Sequence, residues 1–351
     1  MKMENLIIRK MEPGERKAVV KVGRKAFEII EGIFLPMPKT AMVAEYEGKI
    51  IGGIIYSAHD TKKQKIGYID DAFVDPDYHG LGVGKKLYTE TFRCLEKEGY
   101  KVITGLVKCD NVGSWKLFID NGFRRASFLE IIRQIGLVGM IKQYFETPYF
   151  AAIGMDFYLL NKQDEVKEKT KNLPQLLAFF LCNLLVVCPL GIRLFNEGIE
   201  RICLFLLAYI TVLAVFILPR LLGGITSKRQ WHFRFNNGGS FISLGLSTLG
   251  TIFPMNANWY PDHYENTKVL KRQLALPELV KWCLFSLLVL FDFATQPYFH
   301  EVARISCNLL IFSVVPLYPF EGFGAGRIYR YNRKLWLVTA IITAIEVVLL
   351  S

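Results

Sequence analysis

The sequence predicts an α/β domain over residues 1–160 followed by an all-α membrane domain over residues 173–351. Apolar and polar residues alternate in the first part as they do in the strands and amphipathic helices of soluble proteins. The second part contains long runs with few or no charges, which are typical of helices that cross a bilayer. Residues 161–172 are charged and have no apolar face, so we interpret them as a linker between the two domains.

The distribution of charge and the cysteine content indicate which partners and which kinds of site to expect in this protein. The formal net charge is +11, but the basic residues of the second part cluster beside apolar runs, as they do at the cytoplasmic face of a membrane. We therefore expect a lipid bilayer as a partner and no nucleic acid. The seven cysteines form no CxxC pair, which favours reduced thiols over a metal site or a disulfide framework. The charged N-terminus lacks the apolar stretch of a cleavable signal peptide.

The elements of the first domain follow from local patterns. Runs of β-branched and aromatic residues between turn signals predict strands, and a hairpin is predicted around Glu47-Gly48. Predicted strands cover residues 5–9, 40–45, 49–57, 68–74, 101–108, 124–130 and 151–160, and a predicted helix covers residues 15–31. Residues 131–145 are more apolar than a surface loop. We favour packing of this segment against the sheet, with a lid over the acceptor site or a lipid-contacting patch as alternatives.

The stretch from Tyr68 to Leu87 organises this domain. Its strand ends at Asp75-Pro76-Asp77, because proline removes a backbone donor and disfavours helix at the residue before it. Glycines at positions 80, 82 and 84 then precede a helical pattern that runs to Glu98. A strand, a glycine-rich turn and a helix N-terminus together present backbone N–H groups and the positive end of a helix dipole. This combination predicts a seat for a phosphate or pyrophosphate.

Two motifs carry a family resemblance. His79-Gly-Leu-Gly-Val-Gly84 resembles the (Gln/Arg)-x-x-Gly-x-(Gly/Ala) loop of the GNAT family of acyl-CoA-dependent N-acyltransferases, with histidine in the first position. Asn111-Val-Gly-Ser-Trp-Lys-Leu-Phe-Ile-Asp-Asn-Gly-Phe123 resembles the family segment Asn-x-x-(Ala/Ser)-x-x-Leu-Tyr-x-x-x-Gly-Phe. The resemblance covers about residues 1–160. It implies a GNAT fold, in which a mixed central sheet flanked by helices splays and holds the arm of acetyl-CoA in the gap.

The resemblance also implies roles for individual residues. The pyrophosphate is expected on the backbone of the loop, and Lys85 lies next to it in sequence. The loop residues are His79, Gly80, Leu81, Gly82, Val83 and Gly84. The backbone of Phe73 and Val74 is expected to pair with the pantetheine amides, and Asn111 is expected to hydrogen-bond the same arm.

The catalytic residues of the family match this sequence less well than its cofactor-binding residues do. The base of the family is often a carboxylate on the central strand, and Asp70 and Asp71 both lie there. Because strand side chains alternate, we expect only one of the two to face the cleft, and either of them can be purely structural. The general acid of the family is a tyrosine in the second motif, and that position is Phe118, which has no proton to donate.

The second domain is predicted to contain about five spans and one re-entrant segment. The spans are residues 173–192, 202–219, 282–299, 305–320 and 335–351, and the re-entrant segment lies near residues 238–256. Basic segments 220–234, 268–281 and 327–334 are expected to lie together on the cytoplasmic side. The loop between the first two spans has balanced charge and is placed outside, so the N-terminal domain is predicted to be cytoplasmic.

A second resemblance lies in this domain. Phe312-Ser-Val-Val-Pro-Leu-Tyr-Pro-Phe-Glu-Gly322 resembles the Phe-Asn-Leu-Leu-Pro-x-x-Pro-Leu-Asp-Gly motif of the site-2 proteases, which are intramembrane metalloproteases. Ser313 and Glu321 replace its asparagine and its metal-binding aspartate. The first two spans contain no histidine, and His300-Glu-Val-Ala-Arg304 has arginine at the position of the second ligand. We therefore expect no metal and no active protease.

These features predict a membrane-anchored N-acetyltransferase that moves acetyl from acetyl-CoA to an amine on the cytoplasmic side. The acceptor amine can belong to a protein, a lipid-linked group or a small molecule. Phe118 and the missing metal ligands favour an alternative, a non-catalytic acyl-CoA sensor coupled to a pseudoprotease membrane domain.

Overall fold

The structure is a computed structural model and describes residues 5–27, 29–60, 65–108, 111–146, 155–161, 172–225, 229–235, 240–254, 257–261, 267–293, 296–316 and 323–350. The chain divides into two compact units. The first comprises Met1–Phe150 and Met155–Glu168, and the second comprises Ala151–Gly154 and Lys169–Ser351. Most of the predicted linker, residues 161–172, lies outside the described residues.

The first unit is a seven-stranded sheet with helices. Its strands are β1 (Ile7–Lys10), β2 (Ala41–Tyr46), β3 (Lys49–Asp60), β4 (Lys65–Val74), β5 (Val102–Lys108), β6 (Arg124–Arg125) and β7 (Met155–Asn161). Its helices are α1 (Arg16–Ala26), α2 (Ile29–Phe34), α3 (Val83–Lys97), α4 (Val112–Asp120) and α5 (Phe128–Glu146). The strand order is β1-β2-β3-β4-β5-β7-β6. Only the β4–β5 pair is parallel, so the predicted mixed α/β sheet flanked by helices is confirmed.

Two predicted elements of this unit are wrong. The predicted helix over residues 15–31 is broken, because Phe27 adopts an extended conformation at the end of α1. The predicted strand over residues 124–130 pairs with β7 only at Arg124 and Arg125. The chain then enters α5, which packs an apolar face through Ile131 and Ile135 and bends at Gly136, where φ is 76° and ψ is 162°. In a helix, one residue in every three or four faces the core, and this burial explains why the segment is more apolar than a loop.

The central strands part within the sheet. β4 and β5 pair from Ile66–Val102 to Ile69–Gly105, and their parallel ladder ends there. β4 continues to Val74 along β3, whereas β5 continues to Lys108 along β7. The predicted splaying of the two central strands is therefore confirmed, and the gap opens at the glycine-rich end of β4.

The second unit is mainly helical. Its helices are α6 (Asn172–Arg193), α7 (Ile199–Ile225), α8 (Ser240–Thr248), α9 (Lys268–Val289), α10 (Pro297–Val314), α11 (Ala325–Tyr331) and α12 (Arg333–Leu350). Strands β8 (Trp231–Phe235) and β9 (Ala257–Pro261) form a two-stranded antiparallel sheet. The expectation of an all-α domain is therefore wrong. Where a re-entrant segment was predicted, the described residues form the short helix α8 between these two strands.

The prediction of about five spans is also wrong. Among the described residues, two helical stretches are long and apolar enough to cross a membrane, Asn172–Glu197 and Ile199–Gly224. The predicted third span, residues 282–299, is not one helix, because α9 ends at Val289 and α10 begins at Pro297. The charged residues of α9 and α10 shorten their apolar stretches, and α12 carries Arg333, Lys334 and Glu346. Length and composition make the two stretches weak evidence for membrane association.

A buried ion-pair cluster joins the three basic segments of the second unit. The Glu278 carboxylate accepts hydrogen bonds from Arg220 and Lys281, at 3.0 and 2.8 Å, and lies 3.6 Å from Arg327. Each basic segment contributes one of these cations. The segments therefore meet as predicted, but through buried side chains, and their placement on the cytoplasmic side stays a prediction.

The His300–Arg304 segment has a structural explanation. Glu301 is buried and pairs with Arg201 at 2.7 Å and with Arg304. His300 Nδ1 lies 3.1 Å from Asp292 Oδ1. Arginine at the position of a second metal ligand thus completes an ion-pair network. Much of the resemblance to the site-2 proteases falls on residues 317–322, outside the described residues, and it stays a prediction.

Candidate functional site

The glycine-rich turn joins β4 to the N-terminus of α3. Gly80 and Gly82 both have φ of +80°, a conformation that other residues adopt only with strain, and Gly82 is the N-terminal cap of α3. Nothing lies within 4 Å of a Cβ placed at either glycine, so the turn is open to solvent. The first backbone N–H groups of α3 have no acceptor within the helix. The turn therefore combines open space with unpaired donors, as an anion seat requires.

His79 and Gly84 contribute to this turn in different ways. The Nε2 atom of His79 lies 2.9 Å from the Val74 carbonyl oxygen, so the side chain donates to the end of β4 and closes the turn. A Cβ at Gly84 would lie 3.6 Å from Leu117 Cδ1 and 3.7 Å from Val74 Cγ2, which are ordinary contacts. Position 84 therefore has room for the alanine that the family motif permits. Val83 is buried and anchors the helix, whereas Leu81 and Lys85 are exposed.

The Lys25 side chain contacts the residues that lead into the turn, and the sequence did not predict this contact. Its Nζ lies 2.7 Å from Asp75 Oδ1 and 2.6 Å from Asp77 Oδ2, linking α1 to the residues that follow β4. Burial acts to raise the pKa of Asp75, but hydrogen bonds from Lys25 and from the Asp77 backbone N–H outweigh it, so this pKa lies below its ordinary value. No sequence signal places Lys25 here, because the contact depends on how α1 packs.

The predicted cofactor edge of β4 faces the gap between the central strands. Phe73 is buried beneath α1, where its ring packs on Phe27 with centroids 5.8 Å apart. Its side chain is therefore committed to the core, and only its backbone can serve a ligand. Beyond Ile69, β4 is paired with β3 on one edge and has separated from β5 on the other. An extended chain can therefore pair with this edge at Phe73 and Val74.

Asn111 has a structural role as well. Its Oδ1 accepts a hydrogen bond from the Ser114 backbone N–H at 3.2 Å, which caps α4. A hydrogen bond to a cofactor arm would therefore come from the Nδ2 group of Asn111. The residue is exposed, so this group can reach a ligand.

The two candidate carboxylates lie at an irregularity of β4. Ile69 pairs with Tyr56 and Asp71 pairs with Ile55, so Asp70 is the extra residue of a β-bulge. A bulge interrupts the alternation of side chains, and the expectation that Asp70 and Asp71 face opposite sides does not apply here. Asp71 is buried and Asp70 is half-buried. The bulge lies directly after the last pair of the parallel ladder, so both residues stand at the mouth of the gap.

Aromatic rings fill the base of the gap around Phe118. This ring lies 5.4 Å from Tyr88 and 4.6 Å from Phe123 between centroids. A Cβ at Gly105 would approach Cε1 and Cζ of Phe118 to 2.9 Å, so glycine is required for the ring to rest on β5. Phe118 is buried and forms part of the domain core.

Tyr88 brings a hydroxyl group beside Phe118. Burial raises the pKa of Tyr88 above its ordinary value; the Ser114 side chain hydrogen-bonds the phenol and acts to lower this pKa, and the charge of Asp71 acts to raise it. The phenol is therefore protonated at neutral pH. Sequence analysis gave Tyr88 no role, because it lies outside the motif position of the family tyrosine.

The comparisons agree with this geometry. Residues 10–123 match the acetyltransferase (GNAT) family. An uncharacterized N-acetyltransferase of Methanocaldococcus jannaschii is 26% identical over 104 residues, which are 29% of this chain and 44% of the relative. The chain thus matches less than half the length of that relative.

Solved structures are similar to part of the chain. The ribosomal-protein-S18-alanine N-acetyltransferase of Escherichia coli is 16% identical, with a TM-score of 0.31, over 47% of this chain and 99% of that one. A GNAT family acetyltransferase of Brucella melitensis, solved with acetyl-CoA, is 21% identical, with a TM-score of 0.28, over 34% and 82% of the two chains. The family match covers the glycine-rich turn, the parted strands and α4. Residues 10–123 are therefore a GNAT acetyltransferase domain.

Proposed function

We propose that this protein is a membrane-anchored N-acetyltransferase that moves acetyl from acetyl-CoA to an amine on the cytoplasmic side. The observation that carries the proposal is the parting of β4 and β5 next to the glycine-rich turn. The parted strands offer a strand edge for an extended arm, and the turn offers backbone N–H groups for an anion. Acetyl-CoA has both parts, an amide-containing pantetheine arm and a pyrophosphate.

The residues that would hold acetyl-CoA follow from this arrangement. The backbone from His79 to Gly84 would bind the pyrophosphate, with Lys85 supplying a cation from the first turn of α3. The backbone of Phe73 and Val74 would pair with the pantetheine amides. Asn111 would donate from Nδ2. These assignments fit the exposure of the turn and of Asn111.

The reaction requires a neutral amine nucleophile. The amine nitrogen attacks the thioester carbonyl, the carbon–sulfur bond breaks, and the products are an amide and the thiol of CoA. Asp70 or Asp71 would accept the proton that the amine loses, directly or through water. Tyr88, with Ser114, would donate a proton to the leaving thiolate, since Phe118 cannot. A thiolate is a fair leaving group, so this donor increases the rate without being indispensable.

Exposed leucines on α6 support attachment to a membrane. Leu173, Leu177, Leu181 and Leu185 are exposed at four-residue spacing, so they form one apolar stripe along the helix. The α7 helix likewise exposes Leu207, Leu218 and Leu222. Apolar stripes of this length are unfavourable in water and favourable in lipid. The short connection between the two helices has balanced charge, which supports a cytoplasmic N-terminal domain.

Calorimetric titration of acetyl-CoA into the detergent-purified chain tests the first step. We expect micromolar binding that is lost when Gly82 and Gly84 are replaced by bulky residues. Incubation with radiolabelled acetyl-CoA and a panel of protein, lipid and small amines then tests transfer. Absence of binding by well-folded protein would contradict the proposal.

Phe118 favours a second candidate, a non-catalytic sensor of acyl-CoA coupled to a pseudoprotease-like membrane domain. This protein would bind acetyl-CoA through the same turn and edge but would acetylate no amine. Binding without acetyl transfer to any member of the panel would support the sensor over the enzyme.

A further inference from the structure

Helix α5 presents an unusual outer face. Leu129, Leu137 and Val138 are 75%, 52% and 80% exposed, and Arg133 and Lys142 are exposed beside them. Leu129 and Arg133 precede the bend at Gly136, and Leu137, Val138 and Lys142 follow it. We define these five exposed residues together as the α5 outer face. Its three aliphatic side chains and two cations include no carboxylate. Glu130, an acidic residue in the first turn of α5, pairs with Arg124 at 2.5 Å.

Other side chains of α5 are buried against the first unit. Ile131, Ile135 and Met140 are buried, and Gln143 Oε1 accepts a hydrogen bond from Thr104 Oγ1 at 3.0 Å. Thr104 precedes Gly105, the residue at which β5 leaves β4. The helix is therefore held against the sheet next to the gap. Its outer face cannot turn inward without breaking this packing.

We propose that the α5 outer face contacts the surface of an anionic lipid bilayer. Exposed helical residues that combine bulky aliphatic side chains with cations are suited to the boundary between acyl chains and headgroups. Its two cations attract the negatively charged cytoplasmic leaflet, and none of its five residues carries a negative charge that the leaflet would repel. The contact would bring the gap between β4 and β5, next to which α5 is held, close to amines at the membrane surface. This inference rests on the membrane attachment proposed above.

The length of the chain supports this partner. Ten residues, 162–171, join Asn161 to Asn172, the first residue of α6. A fully extended chain covers about 3.5 Å per residue, so this segment reaches at most roughly 40 Å. If α6 lies in the bilayer, this reach limits how far the acetyltransferase domain can move away from the lipid surface. A weak interfacial contact is then formed at high effective concentration.

Photo-crosslinking of the full chain in lipid vesicles tests the contact. The photoreactive residue p-benzoylphenylalanine replaces Val138, and the protein is reconstituted in vesicles of phosphatidylcholine and phosphatidylglycerol. The same residue replaces Leu207, which is 57% exposed on α7, as a control for membrane insertion. It replaces the exposed Lys21 of α1 as a control for solvent. Mass spectrometry then distinguishes lipid adducts from crosslinks within or between chains.

We expect lipid adducts at Val138 several-fold above those at Lys21. Adding Arg133→Glu and Lys142→Glu should lower the Val138 yield in anionic vesicles and leave the Leu207 yield unchanged. Crosslinks from Val138 to residues 172–351, crosslinks to a second copy, or no adduct while Leu207 labels lipid would each overturn the inference alone. If Leu207 also fails to label lipid, the proposed membrane attachment is overturned with it.

Discussion

The ring of Phe118 rests on Gly105, where an added Cβ would come within 2.9 Å of two ring carbons. Gly105 is the last residue of β5 that pairs with β4. The two residues therefore pack together where the central strands part, and the ring occupies the space that a side chain at position 105 would need. Packing of this kind leaves little room for extra atoms.

Gly105→Ala should destabilise the acetyltransferase domain by about 1–3 kcal/mol, since it overpacks a filled core. Denaturant unfolding of the purified chain, followed by a signal from the first unit, measures the change. Phe118→Leu in the same chain should relieve the clash. The double variant is therefore expected to be more stable than the sum of the two single changes predicts, and strict additivity would contradict direct contact.

Gly82→Ala and Gly84→Ala form a matched pair in the glycine-rich turn. Each adds one methyl group, but only Gly82 has a positive φ, of +80°. Alanine in this conformation costs about 1–2 kcal/mol, so Gly82→Ala should distort the turn and weaken acetyl-CoA binding by about tenfold or more. The Gly84→Ala variant should bind acetyl-CoA with the same affinity as the unsubstituted protein. Titration calorimetry measures both, and equal losses would show that the backbone conformation at Gly82 is not what matters.

Tyr88→Phe tests the proposed proton donor. Removal of the phenol should lower kcat by about a hundredfold if it protonates the thiolate, with KM for acetyl-CoA little changed. The loss of one buried hydrogen bond should cost only about 1 kcal/mol of stability. Tyr78→Phe is the control, because Tyr78 packs on Tyr46 with ring centroids 6.1 Å apart and lies outside the aromatic cluster. Unchanged turnover in Tyr88→Phe would mean that the thiolate leaves unassisted.

Glu15 should make the domain sensitive to acid. Hydrogen bonds from Arg9, at 2.5 and 2.8 Å, lower the pKa of Glu15 to about 2, against an opposing effect of burial. A carboxyl whose pKa is lowered by folding stabilises the fold above its ordinary pKa and loses that effect as the pH falls towards the folded pKa. Glu15→Gln should therefore cost about 0.5–1 kcal/mol at pH 7, and the difference should shrink from the ordinary pKa of about 4.5 down to about 2.

Chemical unfolding of both proteins between pH 3 and 7 checks this pH dependence. Glu90→Gln is the control, because Glu90 pairs with Arg93 at 2.7 Å on an exposed helix surface. It should change stability by less than Glu15→Gln at every pH. A pH-independent cost of Glu15→Gln would mean that shape, rather than charge, accounts for the contribution of Glu15.

Local patterns were sufficient to predict the sheet and the turn. The hairpin at Glu47-Gly48, the strand before Asp75 and the helix after Gly82 are all specified by neighbouring residues, whose turn and period signals are strong. The parting of the two central strands was expected only from the resemblance to the GNAT family. The bulge at Asp70 was not predictable, because it depends on the register between β3 and β4. The break at Phe27 was missed because no glycine or proline lies between Arg24 and Glu31 to mark it.

The second unit was predicted less well because apolar runs do not reveal where a helix ends. Residues 282–299 were predicted as one span, yet the helix that contains residues 282–289 begins at Lys268 and ends at Val289. Glu278 lies within it and binds cations from three segments. Hydropathy treats these charges as surface or loop residues, whereas pairing lets them lie buried.

The contacts of Lys25 affect the electrostatic potential at the proposed pyrophosphate site. Asp75 and Asp77 place two negative charges a few residues before the turn, and two negative charges repel a pyrophosphate. Lys25 contributes one positive charge from 50 residues earlier in the chain, at hydrogen-bond distance from both. Helix α1 therefore adjusts the local electrostatic potential of a loop to which it contributes no backbone. Ionic strength and changes at position 25 should then act on affinity for anionic ligands while the glycines keep their conformation.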